Sequence, residues 1–311
     1  MIFKKPKFWD YKKPNYLSYL LLPFTFPIIL NNYFLNFKKV KNKNIKTICI
    51  GNIYIGGTAK TPLTLKIYKI LSNLNFKVST IKKYYSNQLD EQKLLKTKTK
   101  LYCFTKRKRA LDEAIKDGVD VAIFDDGLQD RSLNYDLNFV CFSNLNGVGN
   151  GLLIPAGPLR EKIKSISKYD AVFLNGNLEN NEDLKDLIKK QKPSIKIFEA
   201  CYTPININKL NKTEKYLIFS GIGNPKNFIK TLIKNNFNIV KEIIFPDHYH
   251  YTKQDIEKIK HTAKSIGAKI LTTEKDYIKL SKDSSDEIEF LQIEMVIEKE
   301  DELVNFIRLN I

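Results

Sequence analysis

Apolar and polar positions alternate in distinct rhythms along the chain. From Pro14 to Phe37 there is no charged residue, while Lys4, Lys5, Lys7, Lys12 and Lys13 precede the run and Lys38, Lys39, Lys41 and Lys43 follow it. After Lys46, short apolar runs take turns with helical spacing. Thr47–Gly51 reads as a buried strand, and Leu63, Ile67, Ile70, Leu71 and Leu74 line one face of a helix over Thr61–Leu74. Strands are predicted over Phe76–Ile81, Lys100–Phe104, Val119–Phe124 and Leu137–Phe142, with a helix at Arg109–Lys116. A Gly/Pro-rich stretch, Asn146–Pro158, breaks the order and reads as a lobe boundary. Beyond it, strands near Ala171–Leu174, Ile195–Cys201, Tyr216–Ser220, Ile239–Phe245 and Lys269–Leu271 alternate with helices near Glu182–Lys190, Pro225–Asn235 and Lys253–Ile266. A last strand around Ile288–Ile297 precedes a helix at Lys299–Leu309. Alternation of this kind argues for an α/β fold, with mostly parallel sheets and helices on both faces. The expected division is an N-terminal segment over 1–38, a first lobe over 39–145, and a second, smaller α/β lobe over 146–311.

The charge-free N-terminal run is a poor membrane span. A crossing helix wants about 20 apolar residues, and this run carries Pro23, Pro27, Asn31, Asn32 and Asn36. Trp9 and Asp10 ahead of it, and no small-residue cleavage site behind it, speak against a signal peptide. Tyr16, Tyr19, Phe24, Phe26, Tyr33, Phe34 and Phe37 between lysine clusters suit a helix lying in the headgroup layer of an anionic membrane surface. A helical hairpin packed on the protein's own core is the competing reading.

Composition narrows the partners. The net charge of +18 implies acidic ones: nucleotides, phosphorylated substrates, nucleic acid or an anionic membrane. All but five of the 52 basic residues are lysine, which points to codon bias behind part of that charge. The five arginines, Arg107, Arg109, Arg131, Arg160 and Arg308, are then expected where a forked guanidinium is needed. Lysines spread through every segment speak against a specific nucleic-acid surface. Cys49, Cys103, Cys141 and Cys201 form no C-x-x-C pair, so neither a zinc site nor a disulfide framework is expected.

The chemistry begins at Gly51-Asn-Ile-Tyr-Ile-Gly-Gly-Thr-Ala-Lys-Thr-Pro62. A phosphate-binding loop needs converging backbone N–H groups, a helix N-terminus, a lysine for the β/γ-phosphates and a hydroxyl for Mg²⁺. A strand, Gly56-Gly57, Lys60-Thr61 and a helix follow in that order. Tyr54 and Ala59 stand where the strict G-x-x-x-x-G-K-[ST] pattern has glycine. The complement is Val119–Asp126, an apolar run ending in Asp125-Asp126, which puts a carboxylate at the sheet edge beside that loop to hold Mg²⁺. Tyr54, Ile55, Gly56, Gly57, Thr58, Ala59, Lys60 and Thr61 are therefore candidate ATP ligands, and Thr61, Asp125 and Asp126 candidate Mg²⁺ ligands. A P-loop ATPase or GTPase driving a partner fits the same residues.

Longer motifs narrow the choice. Asp125-Asp-Gly-Leu-Gln-Asp-Arg131, Gly149-Asn-Gly151 with Pro155-Ala-Gly-Pro-Leu-Arg-Glu161, Phe219-Ser-Gly-Ile-Gly-Asn-Pro225, Phe245-Pro-Asp-His248, Leu271-Thr-Thr-Glu-Lys-Asp276 and Pro6-Lys-Phe-Trp9 together resemble the tetraacyldisaccharide 4'-kinase family of lipid A biosynthesis. The resemblance implies transfer of the ATP γ-phosphoryl group to the 4'-hydroxyl of an acylated glucosamine disaccharide 1-phosphate. The prolines and asparagines of the charge-free run and the need for ATP then lead to the expectation of a peripheral place on the cytoplasmic face of the inner membrane. Lys60 then serves catalysis through the phosphates, and His248 supports an acidic base that falls on Asp90 in Leu89-Asp-Glu-Gln92. That segment, and Ile81-Lys-Lys-Tyr84 before it, depart from the family pattern, as does Asp130 where the family has His; Arg131 is the residue placed to compensate. Arg109 is expected to face the nucleotide, and Glu161 to orient Mg²⁺ or an arginine. An exposed salt-bridge partner is the plain alternative for Glu161, and a solvated helix acid for Asp90.

Overall fold

The computed structural model describes residues 5–34, 40–41, 44–86, 88–130, 132–176 and 181–311. Arg131, and Lys4, Phe37, Lys38, Lys39 and Lys43 around the N-terminal run, lie outside them. The chain forms two compact units. One takes residues 1–84, 98–201 and 295–311, the other 85–97 and 202–294.

The first unit is built on an eight-stranded sheet of β2 (Lys46–Gly51), β3 (Val78–Lys83), β4 (Leu101–Phe104), β5 (Val121–Asp125), β7 (Leu137–Ser143), β8 (Ala171–Asn175), β9 (Lys196–Pro204) and β14 (Ile293–Ile297), in the order β14-β9-β8-β7-β2-β5-β3-β4. A short parallel pair, β1 (Val40–Lys41) with β6 (Leu133–Asn134), stands apart. Central β2 is flanked by β5 and β7, both parallel to it, so the loop after β2 and the acids ending β5 emerge at one sheet edge. Helix α3 (Lys60–Asn73) buries Leu63, Ile67, Ile70 and Leu71, the apolar face read from the spacing. Each such side chain contributes about 1.5–3 kcal/mol on burial.

Within the N-terminal segment, α1 (Tyr16–Leu20) and α2 (Phe26–Phe34) are separated by a short 3-10 turn at Leu22–Thr25. The turn holds Pro23, and Pro27 falls in the first turn of α2, where its missing N–H costs little. Among the described residues no helix is long and apolar enough to cross a membrane. The side chains of this segment divide into two sets. Trp9 is buried and donates to the Pro155 carbonyl at 3.0 Å, Ser18 accepts from Asn150, and Ile28 and Ile29 pack on Tyr54, Leu153 and Leu159. Tyr16, Tyr19, Leu20, Phe24, Phe26 and Tyr33 remain exposed. The described residues of this segment fall in the first unit, so the boundary expected at 38 is corrected.

The boundary expected at 146 is likewise corrected, because β8 and β9 extend the first sheet. The Gly/Pro-rich stretch is a packed loop, not a linker. Gly149 sits at φ 58 and any side chain there would collide with the Trp9 carbonyl and Pro158. Strand register also splits the predicted last strand. β13 (Ile288–Leu291) joins the second sheet and β14 the first.

The second unit has a four-stranded parallel sheet, ordered β11 (Asn238–Ile244), β10 (Lys215–Ser220), β12 (Lys269–Thr273), β13. Alternation along β10 sends Tyr216 and Ile218 into a cluster with Phe228 and Leu232 of α7 (Pro225–Lys234), and Leu217 and Phe219 into one with Ile256 and Ile259 of α8 (Lys253–Ser265). Helix α4 (Leu89–Lys98), met in the sequence only as the helix-acid alternative for Asp90, belongs to this unit up to Thr97 although it lies between β3 and β4 in the chain. The remaining helices are α5 (Arg107–Lys116), α6 (Glu182–Gln191), α9 (Glu274–Tyr277), α10 (Lys282–Ser285) and α11 (Glu300–Asn310).

Candidate active site

In the first unit the phosphate-loop residues meet the acids as the motif order requires. Ala59 enters α3 with φ 67 and ψ 27, so the loop does take a left-handed residue just before Lys60. Asn52 donates to the Thr58 hydroxyl at 2.9 Å and Asn175 to the Thr58 carbonyl at 3.0 Å, which fixes the loop from within. Tyr54 is buried, bridges antiparallel to Leu159, and places its hydroxyl against Asp10 and Lys5. Burial first, and then Asp10, raise its pKa. Ile55 donates its N–H to the Pro158 carbonyl at 2.9 Å. Gly56 occupies φ 126, open to glycine alone, and Gly57 continues the turn.

Asp125 ends β5 fully buried. Its Oδ2 accepts from the Thr61 hydroxyl at 3.0 Å and from Lys82 Nζ at 2.7 Å. Its Oδ1 is buried with no hydrogen-bond partner among the described residues. A carboxylate oxygen left bare beside a threonine hydroxyl is a donor set that fits a hard cation such as Mg²⁺. Among the described residues no cluster of three or more His, Cys, Asp or Glu could hold a metal, so such an ion would draw further ligands from phosphates and water. Asp126, at φ 62, receives Arg160 at 3.2 Å. Burial works to raise its pKa, but Lys60, Arg160, Lys82 and Arg107 outweigh that and lower it.

Glu161 is buried, which removes the reading as an exposed salt-bridge partner. It accepts from Gln129 at 2.7 Å and from the Tyr169 hydroxyl at 2.9 Å, and Gln129 also accepts from Arg160. Arg109 is not brought to the acids. It is exposed on α5 with its guanidinium 5.1 Å from the centre of the Phe104 ring. Arg107 is the arginine that turns inward, donating to the Asp126 carbonyl and pairing with Asp130 at 3.1 Å. Asp130, whose pKa is lowered against burial by Ser132 and Arg107, therefore has a partner other than Arg131.

The second unit assembles a separate polar cluster. Asp90 is buried at the start of α4, not solvated, and His248 Nδ1 lies 3.0 Å from both of its carboxylate oxygens. Lys275 and Lys279 approach Asp90 Oδ2 at 3.4 and 3.6 Å. Burial raises the Asp90 pKa, but the His248 hydrogen bond and the two lysines win, and it lies below the usual carboxylate range. His250 and His261 lie outside this cluster, at a neighbouring loop position and on α8. Lys279 was not named from the sequence, and Lys82, Gln129 and Lys275 stood there only inside quoted motifs, with no role, while Arg107 was expected only as one of five arginines needing a forked partner. Only Lys82 left a signal, a charge inside an apolar strand.

A family model described as tetraacyldisaccharide-1-P 4'-kinase matches residues 17–311. The chain belongs to this family. It is 50% identical over 311 residues to the tetraacyldisaccharide 4'-kinase of Pelagibacter ubique (strain HTCC1062), covering 100% of this chain and 99% of that one. Identity is 34% over 316 aligned positions to the tetraacyldisaccharide 4'-kinase of Rickettsia canadensis (strain McKiel), covering 94% and 93%. The crystal structure of LpxK from Aquifex aeolicus in complex with ATP has a similar fold, with TM-score 0.68 and 23% identity over 95% of this chain and 100% of that one. As a member of the tetraacyldisaccharide 4'-kinase family the chain is an enzyme of the kinase class, and its mixed α/β fold with a largely parallel sheet accords with that.

Proposed function

We propose that the protein transfers the γ-phosphoryl group of ATP to the 4'-hydroxyl of a tetraacylated glucosamine disaccharide 1-phosphate, at a membrane surface. The observation that carries this is the meeting of Thr61 and Asp125 behind Lys60 in a chain of this family. In this reading the loop N–H groups from Gly56 to Thr61 and the Lys60 ammonium hold the β- and γ-phosphates, the Ile55 N–H being taken by Pro158. Thr61, Asp125 and Asp126 hold Mg²⁺, which when bound neutralises charge on the phosphate oxygens. Arg107 and Arg160 fix the backbone and side chain of Asp126, and Glu161 fixes Gln129. In the second unit Asp90, braced by His248, takes the proton of the 4'-hydroxyl. The hydroxyl oxygen forms the new P–O bond, the bond from Pγ to the β–γ bridging oxygen breaks, and its electron pair leaves with ADP. Positioning and charge neutralisation supply most of the acceleration in such transfers.

The exposed aromatics of α1 and α2 support a peripheral attachment on the leaflet that faces the ATP pool, the cytoplasmic face of the inner membrane. The test is an assay with ATP, Mg²⁺ and the tetraacylated disaccharide 1-phosphate, scoring a second phosphate on the lipid. Transfer to the lipid with negligible hydrolysis in its absence is expected. ATP hydrolysis of equal rate without lipid would overturn the substrate and leave a P-loop ATPase.

A further inference from the structure

We propose that Lys279, assisted by Lys275, is the positioning residue of the Asp90–His248 pair, fixing both partners through one ammonium group. The proposal rests on the reading that this pair accepts the hydroxyl proton, but its geometry stands apart from it.

Lys279 lies just beyond α9 with 6% of its side chain exposed, so its charge must be met by protein groups. It donates to Asp276 Oδ1 at 2.8 Å and to the Gly221 carbonyl at 3.1 Å, and it stands 3.6 Å from Asp90 Oδ2. The same Gly221 carbonyl accepts the backbone N–H of His248 at 3.2 Å. One cation thus lies in ion-pair range of the acid and meets the histidine through the carbonyl that anchors its backbone. That anchor matters because His248 sits at φ 58, a conformation that an L-residue holds only where its surroundings over-determine it.

The other end of the brace is rigid. Asp276 is fully buried and saturated, accepting from the Gly221 N–H at 3.0 Å, the Tyr251 hydroxyl at 3.0 Å and the Thr273 hydroxyl at 2.7 Å. Lys275, one helical turn before Lys279, points to the same acids. Its Nζ lies 3.4 Å from Asp90, 3.4 Å from Glu91 and 3.5 Å from Asp247, central among three carboxylates that would otherwise repel one another. Lys279 supplies short, directed bonds; Lys275 supplies charge.

Around the Asp90–His248 pair stand Glu91 from the same helix as Asp90, Asp247 from the loop after β11, Tyr251, whose hydroxyl feels the Asp90 charge, and Lys275 and Lys279 around α9. Removing either lysine takes a cation from the carboxylate, so the acid limb of the pH–rate profile moves to higher pH. The full-length enzyme with Lys279→Met is expected to lose about 10²-fold in kcat, the scale of a small misplacement of a reacting group, with KM for ATP within twofold of wild type. Lys279→Arg, which keeps the charge but not the compact bond geometry, recovers part of the rate and restores the acid limb. The imidazole resonances of His248, assigned among three histidines by His248→Gln, shift in Lys279→Met. Should Lys279→Met fail to fold, Lys275→Met, at a more exposed position, must show the displaced acid limb. Wild-type kcat, acid limb and His248 resonances in the variants overturn the proposal. Near-normal kcat in Asp90→Asn removes the proton-acceptor reading instead, while shifted His248 resonances in Lys279→Met would still uphold the brace.

Discussion

Ala59 carries a Cβ into a left-handed conformation, which costs about 1–2 kcal/mol relative to the right-handed region. Glycine escapes that cost but gains about 0.5–1 kcal/mol of disorder in the unfolded chain. Ala59→Gly is thus expected to leave stability unchanged or raise it by under about 1 kcal/mol in urea titrations, with kcat unchanged or slightly higher. A large loss of kcat would show that the methyl group shapes the loop. Lys60→Ala, by contrast, removes the only loop side chain whose charge matches the phosphates, and turnover is expected to fall by at least about 10²-fold, as when a key electrostatic donor is lost. Near-wild-type turnover would remove Lys60 from the phosphate site. These residues were legible because spacing alone carries them: strand, glycines, Lys-Thr, helix. Arg107 was not. Two arginines lie in one helix, and only the fold shows that the first turns inward to Asp126 and Asp130 while the second stacks on Phe104. Lys279 was hidden for a plainer reason: in a chain that writes lysine almost everywhere, one more carries no signal, and Lys275 stood in the Leu271–Asp276 motif without a role of its own.

At the scale of elements, the register of β3 on β5 sets Lys82 directly opposite Asp125, and the two side chains share one face of the sheet. Both are essentially removed from water, at 2% and 0% exposure, so each requires the other. Breaking such a pair leaves one buried charge bare and costs about 3–5 kcal/mol. Lys82→Met should destabilise on that scale, while Lys82→Met combined with Asp125→Asn should recover a substantial share of the loss. Urea unfolding of the two single variants and the double variant measures the coupling. Strict additivity would mean that the two side chains act independently. The apolar run of β3 was readable, but that its one inward lysine meets an acid two crossovers away depends on strand order, which no local pattern encodes. The extent and inward face of helix α4 were unreadable for a related reason. It buries Asp90 and Gln92 beside Leu94 and Leu95, so its inner face does not read as apolar.

At the scale of the whole molecule, α/β alternation announced the class of fold, while the chain's path between units did not follow sequence order. Residues 85–97 leave the first unit for the second and the C-terminal residues 295–311 return to the first. The N-terminal segment shows the same economy, since one set of side chains anchors it and another faces out. Deleting it would tear Trp9 from Pro155 and Asp10 from Tyr54, at the flank of the phosphate loop, and so would confuse attachment with folding. Substituting Tyr16, Tyr19, Phe24 and Phe26 by serine spares those contacts, because all four rings are exposed. Each ring buried in the headgroup region adds hydrophobic affinity, and each nearby lysine adds about 1 kcal/mol on an anionic leaflet. The fourfold variant is expected to float poorly with vesicles containing anionic lipid while binding ATP as the parent does. Parent binding should weaken as salt screens the lysines. Turnover on vesicle-embedded acceptor should fall with binding, whereas turnover on detergent-dispersed acceptor should be largely kept. Undiminished flotation of the variant would move the attachment to another surface, and resistance of the parent to high salt and alkaline extraction would mean insertion deeper than these short helices account for.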